Sequence, residues 1–205
     1  REDVLIFDTL HDGILHFNST RIVRRNPTDS FDLTLAEIEA REQVYELWHF
    51  LRDNIPGFEN SRVLSTAIQI GTRESRMIDG EYCLTQEDLK NCVHFPDGIA
   101  AGNYDIDIHN PEGSGTSHYF FAPGTWYTIP YRCLLPVGTK NLLVAGRCIS
   151  STHEAQASYR IMPIVCCIGE AAGTAAGVAC RAHTSLRGGD VEQVRAILKA
   201  GGAPI

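Results

Sequence analysis

The residues best placed to do chemistry gather in the last third of the chain. An apolar run, Asn141–Gly146, stops at a glycine. A loop then carries Arg147, His153 and Arg160, and Pro163 suits the first turn of a helix running to about His183. Along that helix Gly169, Gly173 and Gly177 recur at four-residue spacing, with Ala172 and Ala176 beside them. Each glycine costs a helix about 1 kcal/mol relative to alanine, so three in register need a packing or binding reason. Unpaired amides and the positive dipole end at the helix start favour negative charge there. The unit is therefore either a ligand cradle or a βα pair packed tightly on its sheet. The residues alone leave both open.

Other polar residues offer roles around such a cradle. His153, between strand and helix, can take or give a proton near neutral pH, or it is a surface loop histidine. Arg160 can pair with a substrate carboxylate or with Glu154. Arg73, Glu74 and Arg76 follow a strand and Gly71; they line a substrate or form a solvated, internally paired cluster. Tyr104–His109 alternates, placing Asp105, Asp107 and His109 on one face and Ile106 and Ile108 on the other. From that face Asp107 and His109 can orient a substrate, whereas a metal site there would lack ligands. Cys83, Cys92 and His94 similarly lack the second half of a zinc site. Cys166 and Cys167 read as inert core thiols. No metal is expected.

Several elements would position these residues. Residues 4–7 and 13–17 read as strands around Asp12-Gly13. Thr34 and Glu37 form a candidate capping box for a helix whose stripe is Val44, Leu47, Trp48, Leu51 and Ile55, ended by Pro56-Gly57. A strand is expected over 63–70, and a short helix capped by Thr85 with Asp88. A glycine- and serine-rich loop covers 110–118, and Pro130 interrupts a strand over Trp126–Arg132. Asn141–Gly146 has the continuous apolarity of a strand buried on both faces of a parallel sheet. Asp190 caps a last helix ending at Gly201-Gly202.

Composition narrows the classes. The 205 residues are 43% hydrophobic and 21% charged, as in ordinary globular domains. A net charge of −7 without a basic run argues against nucleic acid and anionic membranes as partners. Seven cysteines with no CxxC pair fit a reducing cytoplasm better than a disulfide framework. Ile161–Cys180 is about long enough to span a bilayer, but Glu170 at its middle and Pro163 near its start favour a buried helix of a soluble protein. No signal peptide opens the chain. It begins Arg1-Glu2-Asp3 without methionine, which suggests processing or a boundary within a longer sequence.

The run NLLVAGRCISSTHEAQASYRIMPIVCCIGEAAGTAAGVA (141–179) resembles the closing FAD-binding segment of the FAD-dependent oxidoreductase family, with its glutathione-reductase-type FAD domain. TLAEIEAREQ (34–43), IGTRESRMIDGEYCLTQEDL (70–89), IDIHNPEGSGT (106–116) and YTIPYRCLLP (127–136) resemble the same family in the same order. The resemblance implies FAD as cofactor. It places Gly146 and Arg147 beside the ribityl chain and pyrophosphate, and Ile161, Met162 and Pro163 at the flavin N1/O2 edge. Gly169, Ala172 and Gly173 would let the helix approach closely. In the related fumarate-reductase-like branch an acidic residue contacts the cofactor after AxG; Arg147 stands there instead, which implies a phosphate contact or a supporting role. The family's opening strand and GxGxxG are not in these residues. GSGTSH (113–118) is no substitute, because it follows a His-Asn-Pro-Glu loop and leads into no amphipathic helix.

The expectation is thus an α+β fold: a β-rich substrate or cap region over 1–140, with a helix at 34–55, and the C-terminal part of a Rossmann-like FAD domain over 141–205. The expected function is passage of a hydride or electron pair between a small-molecule substrate and FAD. Catalytic roles fall to His153 and Arg160, and substrate roles to Arg73, Arg76, Asp107 and His109. The missing N-terminal half, from the same gene or a separate chain, would be the partner, and this fragment would be inactive alone. The alternatives are a non-catalytic binding domain derived from the flavoprotein and a metal-dependent hydrolase using Asp107 and His109.

Overall fold

A computed structural model describes residues 4–109 and 116–205. The chain divides into two compact units. One is Arg1–Ser75 with His109–Gly115, and the other is Arg76–Ile108 with Thr116–Ile205.

The first unit opens with an antiparallel hairpin, β1 (Ile6–Asp8) on β2 (Leu15–Phe17), in the expected place. Its long helix, α1 (Ser30–Asn54), starts earlier than the Thr34 capping box predicts. Asp29 supplies the cap, accepting from the Phe31 and Asp32 amides, and so offers the chain an earlier start. Thr34 then lies inside the helix and donates to the Ser30 carbonyl at 2.8 Å. The strand expected over 63–70 does not form. Side chains take the place of a ladder partner: the Ile70 amide donates to Glu37 Oε1 at 2.7 Å, and Arg41 Nη2 donates to the Ile68 carbonyl at 3.1 Å. β propensity needs a neighbour to become a strand, and α1 satisfies this backbone instead. That hydrogen bond and the Arg41 guanidinium hold the Glu37 carboxyl below the usual range, the guanidinium having the larger effect.

The second unit is built around β3 (Gly98–Gly102) and β6 (Tyr127–Pro130), which pair antiparallel, and a second pair, β4 (Ile106–His109) with β5 (Thr116–Tyr119). Five further elements complete it. They are α2 (Gln86–Lys90), a 3-10 turn (Tyr131–Leu134), α3 (His153–Tyr159), α4 (Met162–Ala182) and α5 (Val191–Ala200). Thr85 and Asp88 form the expected capping box on α2, and Asp190 caps α5. The core includes Leu84, Leu89, Ile99, Ile106, Tyr127, Ile129, Leu134, Ile149, Tyr159 and Ile168. α4 packs on β3 and α5. Among the described residues, α4 is the helix with the length and apolar character to cross a membrane.

Asn141–Gly146 is not a strand. A parallel strand takes hydrogen bonds from its neighbours, and the described strands form three separate two-stranded ladders, none of which includes this segment. Its Val144 amide instead reaches the Leu134 carbonyl at 2.9 Å, and Leu142 is 46% exposed, so the run is not buried on both faces. The fold is mixed helix and small sheet, as expected.

β3 can lie this close to β6 and α4 because Gly102 has no side chain. A Cβ there would stand 2.6 Å from the Tyr127 hydroxyl and 2.7 Å from Ile164 Cδ1. Both neighbours are buried, so neither can yield freely. Gly102→Ala is expected to lower unfolding stability by about 1–3 kcal/mol, read as a lower denaturant midpoint with unchanged slope. An unchanged midpoint would show that β3 sits more loosely than this packing requires.

Candidate functional site

The site is built from the loop after Gly146, the turn between α3 and α4, and β4 with the residues just before it. Gly146 adopts φ +102°, the left-handed region that glycine enters without strain, and a Cβ there would meet nothing within 4 Å. Arg147 is exposed. Residues after it are pinned by Tyr159, at the end of α3. Its buried hydroxyl donates to the Arg147 carbonyl at 3.2 Å and lies 2.9 Å from Ser151 Oγ. Residues 150–152 are held in turn by Leu84: the Leu84 amide donates to the Ser150 carbonyl, and the Thr152 amide donates to the Leu84 carbonyl.

His153 is not in a loop. Thr152 caps α3 by accepting from the Ala155 amide, which makes His153 the first residue of that helix, exposed to solvent. Glu154 does not serve Arg160 either. Its carboxyl is held below the usual range chiefly by its own backbone amide, a helix-start interaction, and then by the Thr152 side chain.

Arg160 turns to Asp107. Its Nη2 lies 3.4 Å from Asp107 Oδ2, and the two side chains are only 14% and 12% exposed. Ser158 ties the segment leading into β4 to α3, donating to the Tyr104 carbonyl while meeting the Tyr127 hydroxyl at 2.7 Å. Burial pushes the Tyr127 phenol well above its ordinary value, so it remains protonated.

Immediately after Arg160, α4 begins as its sequence implies. Ile161 is extended, Pro163 lies in the first turn, and no side chain caps the helix start. Met162 is 82% exposed. The helix then shows two faces. Ile164, Ile168, Ala171, Ala175 and Val178 are buried. On the other side a Cβ added at Gly169, Gly173 or Gly177 would meet nothing within 4 Å. That side of α4 is open, and none of the described residues approaches it closely at the three glycines. Ala172 lies between the faces, partly buried against the core.

The remaining candidates are less concentrated. Arg73 belongs to the first unit and Arg76 to the second, and each is exposed. His109 ends β4, but its side chain lies outside the described residues. Among the described residues no three His, Cys, Asp or Glu side chains gather as metal ligands. Cys167 is partly buried against the core, as expected, but Cys166 is exposed on α4. The buried thiol is Cys133, pushed up to about 12 by desolvation.

One residue escaped the sequence reading. His118, assigned to the loop over 110–118, lies on β5 with Nδ1 2.9 Å from Asp105 Oδ2 and Nε2 3.8 Å from Asp107 Oδ1. The available signal was slight: Thr116 and Tyr119 favour a strand, and His118 stands eleven positions beyond Asp107, a spacing that a second strand folding back on the first would satisfy.

The family model described as FAD dependent oxidoreductase matches residues 2–198. No curated protein and no solved structure matches the chain.

The Asp107–Arg160 pair gives a direct test of how the site is held. Asp107→Asn and Arg160→Met should each destabilise the chain, since removing one partner leaves the other's charge poorly compensated. The double variant should recover part of the loss, with a coupling of about 0.5–3 kcal/mol in a double-mutant cycle by chemical denaturation. Additive losses would mean the two side chains do not act as a pair.

Proposed function

The chain belongs to the FAD-dependent oxidoreductase family, whose cofactor is FAD, and on that premise we propose that it forms the flavin-facing part of a flavoprotein that passes a hydride or electron pair between a small-molecule substrate and FAD. The observation that carries this reading is α4 itself, with an uncapped start and an open Gly169/Gly173/Gly177 face at the end of a segment fixed by Tyr159.

These residues fit the flavin end of the cofactor. Ile161, Met162 and Pro163 would present the start of α4, whose first-turn amides, Pro163 contributing none, suit an electron-rich ring edge. Gly146 leaves room beside its backbone, and Arg147 carries a charge suited to phosphate. Gly169, Ala172 and Gly173 would form the surface approached by the ligand or by the rest of its domain. FAD, when bound, supplies acceptance and release of the electron pair. The chain's own share is orientation and proton handling. The Asp107–Arg160 pair would hold the strand against the start of α4. Within the second unit, His153 and Arg76 are the exposed polar groups that would meet substrate.

The 205 residues contain no GxGxxG, the element that aims amides at a dinucleotide pyrophosphate. In this proposal a further strand–GxGxxG–helix unit, on the same polypeptide or a partner, completes a Rossmann-like domain of which 141–205 is the closing segment. The family match favours this reading over a metal-dependent hydrolase.

Two measurements test the proposal. The chain alone should bind FAD weakly or not at all, whereas the complete protein should be yellow as purified. Tight stoichiometric binding by the chain alone, followed by flavin fluorescence, would overturn the divided site. Gly173 should also behave differently in the two contexts. In the chain alone Gly173→Ala should raise stability by up to about 1 kcal/mol, as for an exposed helical glycine. In the complete protein Gly173→Leu should cost about 1–3 kcal/mol by overpacking and lower flavin content. Unchanged flavin content and melting temperature would remove the open face from the cofactor site.

A further inference from the structure

Asp105, Asp107, His118 and Arg160 form a connected polar group within the second unit, and the imidazole is its most accessible member. His118 is 41% exposed, against 17% for Asp105 and 12% for Asp107. An ionised carboxylate can only accept a hydrogen bond, so at the 2.9 Å contact Nδ1 donates its proton to Asp105. In the neutral ring this leaves the lone pair on Nε2. The Phe120 ring lies nearly parallel to the imidazole, with centroids 5.6 Å apart and planes 6° apart. A partly buried carboxylate fixing one ring nitrogen while the other keeps its lone pair resembles the arrangement used for positioned proton transfer. Asp107, which faces Nε2 at 3.8 Å, is itself held by Arg160, the residue before Ile161 at the start of α4.

We propose that His118 carries the proton of the reaction, with Asp105 as its positioning residue. The substrate is then one with hydrogen on both a carbon and an adjacent hydroxyl or amine group. The bond between hydrogen and the heteroatom breaks and its proton passes to Nε2 of His118. The C–H bond would break with its electron pair leaving as hydride, and FAD, when bound, would supply the acceptor for it. A carbon–heteroatom double bond forms, the substrate losing two electrons and FAD gaining them, and the proton leaves His118 for solvent. This inference rests on the flavoprotein reading above. It adds a residue and a substrate class to it.

The ring's state can be read without FAD. In the chain labelled with ¹⁵N-histidine, neutral His118 should carry its proton on Nδ1, and Asp105→Asn should weaken that preference while Asp107→Asn preserves it. A proton on Nε2 in the native chain, or no response to Asp105→Asn, would overturn the positioning. The complete flavoprotein supplies the second readout. Mixed anaerobically with 2-propanol, lactate, glucose, benzylamine or glycine, it should lose its flavin absorbance with at least one, and the responding compounds distinguish alcohols from amines. His118→Gln should slow that bleaching at least about tenfold with flavin content unchanged, and Asp105→Asn should slow it as well. If His118→Gln fails to fold, Asp105→Asn carries the comparison. Equal rates in native protein and variants would remove His118 from the reaction, and a flavin-loaded protein bleached by none of the five would overturn the substrate class. A complete protein purified without flavin would sink the flavoprotein reading, while the NMR result would still judge how the ring is held.

Discussion

Tyr127 is wholly buried, and its hydroxyl meets Ser158 Oγ at 2.7 Å. Around that contact three stretches of chain are brought into register. Tyr127 belongs to β6 and packs against Gly102 on β3, and Ser158 belongs to α3 and donates to the Tyr104 carbonyl. Two polar hydroxyls far from water satisfy one another and a backbone carbonyl, avoiding the cost of leaving such groups unpaired. The consequence is positional. Asp105 and Asp107 follow Tyr104 directly, and Arg160 follows Ser158 by two residues, so the fastening that stabilises the core also sets the distance between the charged groups.

α4 embodies a second constraint. Ile164, Ile168 and Val178 bury one side, and their packing holds the helix without help from the other side. The glycines are therefore not needed to fit this helix into its own core. Within the described residues a side chain at each of these positions would meet nothing, so their cost to helix propensity has no packing reason there.

The sequence announced those parts of the fold whose determinants are local. The capping pair at Thr85 and Asp88, the Asp190 cap and Pro163 in the first turn of α4 depend on neighbours within a few residues, and each is where its sequence places it. The strands expected over 63–70 and Asn141–Gly146 depend on partners, which no local pattern can supply. In one case the side chains of Glu37 and Arg41 take the backbone bonds; in the other the described residues lack the neighbouring parallel strand. The site was legible to a similar degree. Asp107 and Arg160 stood out by type and position, but their pairing, 53 residues apart, required the fold. His118 was hidden by a glycine- and serine-rich context that reads as loop.

The thiols give α4 a property separate from any reaction. Cys166 and Cys180 are both exposed, and each stands about two turns from Gly173, at opposite ends of the open stripe. Cys133, by contrast, is buried and its thiol resists ionisation, so it stays inert to reagents that attack the thiolate. The helix consequently carries its own footprinting handles. Alkylation of Cys166 and Cys180, followed residue by residue in a mass spectrometer, reports whether the stripe between them is covered in a given assembly without an engineered label.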